Sequence, residues 1–137
     1  DLEKYYSKYF TDRSKVVKFS EAYESVFTGI KNKIEQYDSE LKDLKNKIDT
    51  EESSLSKQAN SLLAWSSSLD SLKNSNKISE YNSQVNSYNS GVEAYRKNVT
   101  FVKSIIAKYN SMVEERNNLS IQQNNLYQSI DSKSKDL

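Results

Sequence analysis

The sequence predicts an all-α protein built as a long antiparallel coiled-coil helical hairpin. Apolar residues recur in alternating steps of three and four along most of the chain. The 137 residues include no proline and two glycines, which are the main punctuation of turn-rich folds. One Asn- and Ser-rich interruption lies near the middle. Together these observations argue against a sandwich, a barrel or a doubly wound α/β fold.

The composition favours a narrow apolar interface over a thick core. Hydrophobic residues make up 35% of the chain, which is below the usual share for a compact globule. Disorder is not expected, because ten tyrosines, four phenylalanines and one tryptophan are too many aromatic residues for a disordered tract.

The first apolar series, here called the seam of helix one, covers the first half of the chain. All but four of its positions are apolar or aromatic, the exceptions being Arg13, Ser20, Glu51 and Gln58. A period near 3.5 residues predicts a left-handed coiled coil. The series consists of Leu2, Tyr6, Tyr9, Arg13, Val16, Ser20, Tyr23, Phe27, Ile30, Ile34, Tyr37, Leu41, Leu44, Ile48, Glu51, Leu55, Gln58, Leu62, Trp65, Leu69 and Leu72.

The interruption at Lys73–Lys77 predicts a tight turn. Asn and Ser are poor in helix interiors and good at helix ends, so Asn76 or Ser75 is expected to be the N-cap of helix two. A link this short joins antiparallel neighbours. The expected boundaries are helix one at about 14–73, the turn at about 74–77 and helix two at about 78–131, all within a single domain.

Helix two shows the same periodicity with one change of phase. Between about residues 105 and 113 one residue is missing from the alternating spacing of three and four. Such a deletion overwinds a coiled coil locally. The first register contains Ile78, Tyr81, Val85, Tyr88, Val92, Tyr95, Val99, Val102, Ile106 and Tyr109, and the second contains Ile105, Tyr109, Met112, Arg116, Leu119, Gln123, Leu126 and Ile130.

Pairing about the turn predicts which residues face each other. In antiparallel helices, residues whose numbers sum to about 151 should lie opposite. Trp65 is then expected near Val85 and Tyr88, and Gly91 near residues 59–60. Gly91 either permits a close approach of the two backbones or is a tolerated weak position that costs ~1 kcal/mol relative to Ala.

Residues 1–13 extend past this pairing, because Leu137 falls opposite Ser14. They are expected to form either a short extra N-terminal helix or an overhang that binds a partner. The aromatic residues at positions 5, 6, 9 and 10 are interleaved with Lys4 and Lys8. This composition is similar to the aromatic and basic belt found where a membrane span leaves the bilayer. The aromatic residues equally fit the first two turns of the coiled coil. The candidate interaction residues are Tyr5, Tyr6, Tyr9 and Phe10, together with Trp65 on the seam.

Residue types narrow the possible chemistry. The chain has no histidine and no cysteine, which removes the commonest general base and the ligands of zinc-finger and iron–sulfur sites. The adjacent acids Glu51-Glu52 and Glu114-Glu115 point about 100° apart on a helix and do not converge. No catalytic residue, metal or cofactor is therefore expected, and the protein is not expected to be an enzyme.

Four polar residues of the seam, Glu51, Gln58, Arg116 and Gln123, admit two interpretations. Polar residues there can fix register or partner number at some cost in stability. They can also mark loosened, partly hydrated layers, and this second interpretation is favoured. The seam tyrosines are expected in the core with their hydroxyls at its wet edge. Neither a small-molecule ligand nor, at a net charge of +1, a nucleic acid is expected.

The tyrosine–asparagine heptads between Tyr81 and Asn89 resemble the coiled-coil stalks of some bacterial surface or secreted proteins. That likeness favours an extracytoplasmic or cell-surface location. We expect a spacer, scaffold or protein-interaction module that pairs with a protein partner or with itself as a homodimer. It would be a rod of about 90 Å, with membrane proximity through an upstream segment. The alternatives are an extracytoplasmic ligand-sensing helical bundle of a receptor and a cytoplasmic tether or membrane-shaping dimer.

Overall fold

The computed structural model describes the backbone of residues 1–135 and the side chains of residues 1–132. It contains α1 (Leu2–Asn74) and α2 (Ile78–Lys135), packed antiparallel as a helical hairpin. The predicted fold class is confirmed.

Helix α1 starts at the first residues of the chain. It was expected to begin near residue 14, but it is continuous from Leu2, so residues 2–13 belong to α1 and do not form a separate helix. Asp1 caps it by accepting a bond from the Glu3 backbone N–H at 3.2 Å. The Thr11 hydroxyl donates to the Ser7 carbonyl one turn earlier at 2.9 Å, so this side chain is accommodated within the helix.

The turn ends α1 through a left-handed residue. Asn76 has a φ of 57°, and its N–H donates to the Lys73 carbonyl at 3.2 Å while that of Lys77 donates to the Leu72 carbonyl at 2.9 Å. This pair of bonds is a Schellman motif. The prediction that Asn76 or Ser75 is the N-cap of α2 was wrong. Asn76 closes α1, and the Lys77 carbonyl accepts the first bond of α2, from the Tyr81 N–H at 3.0 Å.

The predicted seam of α1 matches the observed burial from Tyr23 onward. Every seam position from Tyr23 to Leu72 is buried or half-buried. Toward the N-terminus the seam residues Leu2 to Val16 are exposed, and Phe19 is half-buried where Ser20 was expected. The buried hydrophobic residues are Ile34, Leu69, Val102, Ile105 and Met112.

The change of phase in α2 is also present. Ile105 is buried and Ile106 half-buried, so two consecutive residues face α1 where the first register gives way to the second. Ile78, the first member of the series, is 48% exposed. The chain divides into two compact units: a terminal unit of Asp1–Glu40 and Met112–Leu137, and a turn unit of Leu41–Ser111.

Candidate interaction surfaces

Trp65 is held inside the turn unit by contacts with α2. Its ring packs edge-on against Tyr88 with centroids 5.7 Å apart, as the pairing about the turn predicted. Its indole Nε1 donates to Gln84 Oε1 at 3.3 Å. The half-buried indole therefore has both its ring and its polar atom engaged within the chain.

Gly91 lies against side chains of α1. A Cβ at this position would stand 3.2 Å from Leu62 Cδ2 and 3.8 Å from Trp65 Cζ3. The neighbours of this position are the side-chain ends of Leu62 and Trp65, so the structure does not show the close approach of two backbones near residues 59–60 that one of the two interpretations required.

One polar residue of the seam bonds across the turn unit. The Asn98 side-chain amide donates to Gln58 Oε1 at 3.0 Å, which joins α2 to α1. Nearby, Lys47 lies 5.2 Å from the centroid of the Phe101 ring, at cation–π distance. Glu51, also on the seam, is half-buried.

The terminal unit contains a polar cluster that joins the helices. The Arg116 guanidinium donates twice to Asp38, from Nε at 2.8 Å and from a terminal nitrogen at 3.4 Å. This geometry resembles the two-bond fork that makes arginine–carboxylate pairs directional. The hydrogen bond and the charge of Asp38 raise the pKa of Arg116. The pair joins α2 to α1 across the seam, with the Arg116 and Asp38 side chains 34% and 51% exposed.

Tyr37 adds a second link in the same cluster. Its hydroxyl donates to Glu115 Oε2 at 2.6 Å. This bond raises the pKa of the phenol, and burial and the negative charges of Glu115 and Glu40 raise it further. The heptad pattern predicted neither link, although acidic residues lie close to Tyr37 in the sequence. The cluster borders a groove of about 440 Å³ lined by Lys33, Gln36, Tyr37, Glu40, Glu115, Asn118, Leu119 and Gln122.

Gln123, the last polar seam residue, lines a second groove of the terminal unit with a volume of about 530 Å³. The groove also contains Ile121 and Tyr127, which are 58% and 63% exposed. These two apolar residues lie off the seam, so the heptad pattern did not reveal them.

The four N-terminal candidates form two exposed aromatic pairs on one side of α1. Tyr5 and Phe10 are 67% and 62% exposed, and Tyr6 and Tyr9 about half. Neighbouring rings contact edge-on, with centroids 5.6 Å apart for Tyr5–Tyr6 and 5.5 Å for Tyr9–Phe10. The structure thus brings these four together, whereas Trp65 belongs to the turn unit.

An apolar groove of about 460 Å³ continues this surface along α1. Its lining begins at Val16, which is itself 46% exposed, and reaches Ile130 of α2. Ring carbon and aliphatic carbon dominate its walls. The lining residues are Val16, Phe19, Ser20, Tyr23, Glu24, Phe27, Thr28 and Ile130.

Among the residues that the structure describes, no group of three acidic side chains is placed to hold a metal ion. Over the same residues, neither helix includes a stretch apolar and long enough to cross a membrane. Comparison of the chain with protein-family models, with curated proteins and with solved structures returned no match.

Proposed function

We propose that the protein is a non-catalytic coiled-coil spacer that presents a helix-pairing surface at residues 2–17. One observation carries the proposal. The seam of α1 is covered by α2 from Tyr23 to Leu72, while the same heptad series is exposed from Leu2 to Val16. A chain with this pattern combines a helix pair completed within the molecule and an apolar strip free to pair with something else.

Directional polar contacts between the two helices support the first part of the proposal, that the protein is a spacer. Asp38–Arg116 in the terminal unit and Gln58–Asn98 in the turn unit each join α1 to α2 at a defined position. Apolar seam layers alone tolerate sliding by a heptad, whereas a polar pair breaks when the helices slide. Such links suit a spacer, which has to hold a fixed distance under load.

The extracytoplasmic or cell-surface setting belongs to the same proposal. It is supported by the aromatic residues at 5–10 and the adjacent Lys4 and Lys8, a composition favoured near the membrane–water interface. In that setting the hairpin would separate a neighbouring domain from the membrane.

Small-angle X-ray scattering combined with light scattering tests the spacer. A spacer requires a rod of about 90 Å or more, at ~1.5 Å rise per residue. We expect a pair-distance distribution with a long tail and a cross-section of one or two helix pairs. A compact particle would contradict the spacer and favour the ligand-sensing bundle.

A further inference from the structure

The exposed strip at the start of α1 has the geometry of an uncovered half of a coiled coil. Leu2, Tyr6, Tyr9 and Val16 occupy seam positions, and Tyr5, Phe10 and Val17 flank them. At about 100° per residue, Lys4 and Lys18 fall on the opposite side of the helix. We call the seven apolar residues the N-terminal strip; their exposed fractions range from 46% to 71%.

We propose that the N-terminal strip pairs, antiparallel, with the same strip of a second copy of this chain. This inference rests on the proposed function and names its partner. The strip continues the seam that α2 covers from Tyr23 onward, in the same heptad phase. Its spacing therefore fits a helix, and a second copy supplies an identical helix.

The exposed area is sufficient for a reversible dimer. A Phe or Tyr side chain buries roughly 150–250 Å² when fully covered, and the four aromatic residues of the strip are half to two-thirds exposed. Two copies, with their aliphatic neighbours, can thus remove roughly 1,000 Å² from water, about the lower limit for a specific interface. We therefore expect association that depends on protein concentration.

Arg13 decides the relative direction of the two helices. It occupies a seam position in the middle of the strip. In a parallel, in-register pair it would face the Arg13 of the second copy, and like charges at short range repel. The antiparallel register that pairs seam residues along the whole strip has its two-fold axis near Thr11. In that register Arg13 faces Tyr9, where a guanidinium can stack on the ring.

The charged residues nearest the axis lie at the edge of the strip. Because the two-fold axis passes near Thr11, the Asp12 residues of the two copies approach each other, and Lys8 of each copy lies one helical turn away on the same side of the helix. Lys4 and Lys18 stay on the solvent side, so pairing buries neither of them.

Sedimentation equilibrium over a concentration series, from about 1 μM to about 1 mM, tests the pairing. We expect the average mass to rise from one chain to two. The double variant Tyr6→Glu/Tyr9→Glu should weaken association by about 100-fold or more, because it buries unpaired charge at the interface. The control Ser7→Glu/Thr11→Glu adds the same charge on the opposite side of α1 and should dimerise like the wild type. Circular dichroism verifies that both variants stay helical.

Disulfide trapping tests the direction. The chain has no cysteine, so Tyr6→Cys and Val16→Cys each carry a single thiol. These positions face each other in the antiparallel register, so mixing the two variants should give mainly the mixed disulfide. Disulfides between identical chains would show parallel pairing and overturn the proposal.

Two other outcomes would overturn the inference and leave the spacer intact. One is a rod that stays monomeric over the whole series. The other is a monomer that sediments with vesicles of phosphatidylcholine and phosphatidylserine and loses that binding in Tyr6→Glu/Tyr9→Glu, which would assign the strip to a lipid surface. A compact particle in scattering would instead contradict the spacer itself.

Discussion

At the scale of single residues, the two glycines have different surroundings. A Cβ at Gly29 would meet no atom within 4 Å, whereas at Gly91 it would meet Leu62 at 3.2 Å. Both glycines lie inside helices, where glycine costs about 1 kcal/mol relative to alanine.

Alanine substitution should separate the two positions. Gly29→Ala is expected to raise the free energy of unfolding by about 0.5–1 kcal/mol, because it gains helix propensity without a clash. Gly91→Ala gains the same propensity but displaces Leu62 by a few tenths of an ångström, so its net gain should be smaller. Urea unfolding followed by circular dichroism measures both. An equal gain at the two sites would show that Leu62 moves freely.

The Tyr37–Glu115 bond should make stability depend on pH in the alkaline range. The ordinary pKa of the tyrosine phenol is 10.0, and the contact with Glu115 raises it in the folded protein. The folded state thus binds the proton more tightly than the unfolded state. The Tyr37–Glu115 bond therefore makes its full contribution to the free energy of unfolding below pH 10, and this contribution disappears as the pH rises through the raised pKa.

The measurement is the stability difference between wild type and Tyr37→Phe, by urea unfolding from about pH 8 to about pH 12. We expect the wild-type advantage to shrink as the pH rises. In a Glu115→Gln background the pH dependence specific to Tyr37 should be weaker. If the wild-type advantage grew with pH, the assigned bond would be wrong.

At the scale of elements, the end of α1 depends on the conformation of Asn76. Its left-handed backbone, with a φ of 57°, is tolerated by Asn and Gly but costs other residues roughly 1–2 kcal/mol. The two bonds of the Schellman motif satisfy carbonyl groups that α1 would otherwise leave without a partner.

Substitutions at Asn76 should follow that preference. Asn76→Gly should keep or slightly increase stability, and Asn76→Val should lower it by about 1–2 kcal/mol because a branched side chain crowds the left-handed region. Ser75→Ala, one residue earlier, is the control and is expected to change stability by less than about 0.5 kcal/mol. A large loss of stability in Ser75→Ala would show that Ser75 does cap α2.

The seam polar residues also act at this scale. A pairing sum of 151 corresponds to Glu35 opposite Arg116, whereas the structure pairs Arg116 with Asp38, three residues further along. Both acids lie one helical turn apart. The heptad therefore predicts the register to within about one turn, and the choice between two carboxylates depends on the side-chain geometry of the folded pair.

At the scale of the whole molecule, hydrophobic burial is confined to a narrow line of residues. Only five hydrophobic residues are counted as buried among those described, whereas the rest of the seam is half-buried. Most of the apolar burial in each unit is therefore spread over half-buried residues, with few buried residues among them.

Two leucines of the same helix test this distribution. Leu69 is 4% exposed and Leu63 is 67% exposed. Leu69→Ala should cost about 2–4 kcal/mol, in the lower part of the range for buried leucines because the surrounding layer can partly collapse. Leu63→Ala should stay within about 0.5 kcal/mol of the wild type. Similar losses for both would mean that Leu63 is covered in solution, and light scattering would then show whether a second chain covers it.

Apart from the start of α1, the sequence by itself determined the two helices, their antiparallel order, the seam from Tyr23 to Leu72 and the change of phase at Ile105. These features follow from the periodicity of side chains on a helix, which is local and readable residue by residue. The exposed aromatic candidates at 5–10 were found in the same way, although their pairing partner stays a proposal.

Only the tertiary structure decided the cap at Asn76, the neighbours of Gly91 and the partners of Tyr37 and Arg116. The physical reason is common to all of them. Each depends on distances of a few ångströms between atoms far apart in sequence, or on one backbone angle at the turn. A heptad specifies which side of a helix is apolar, but a shift of one turn keeps that side and changes every polar contact across it.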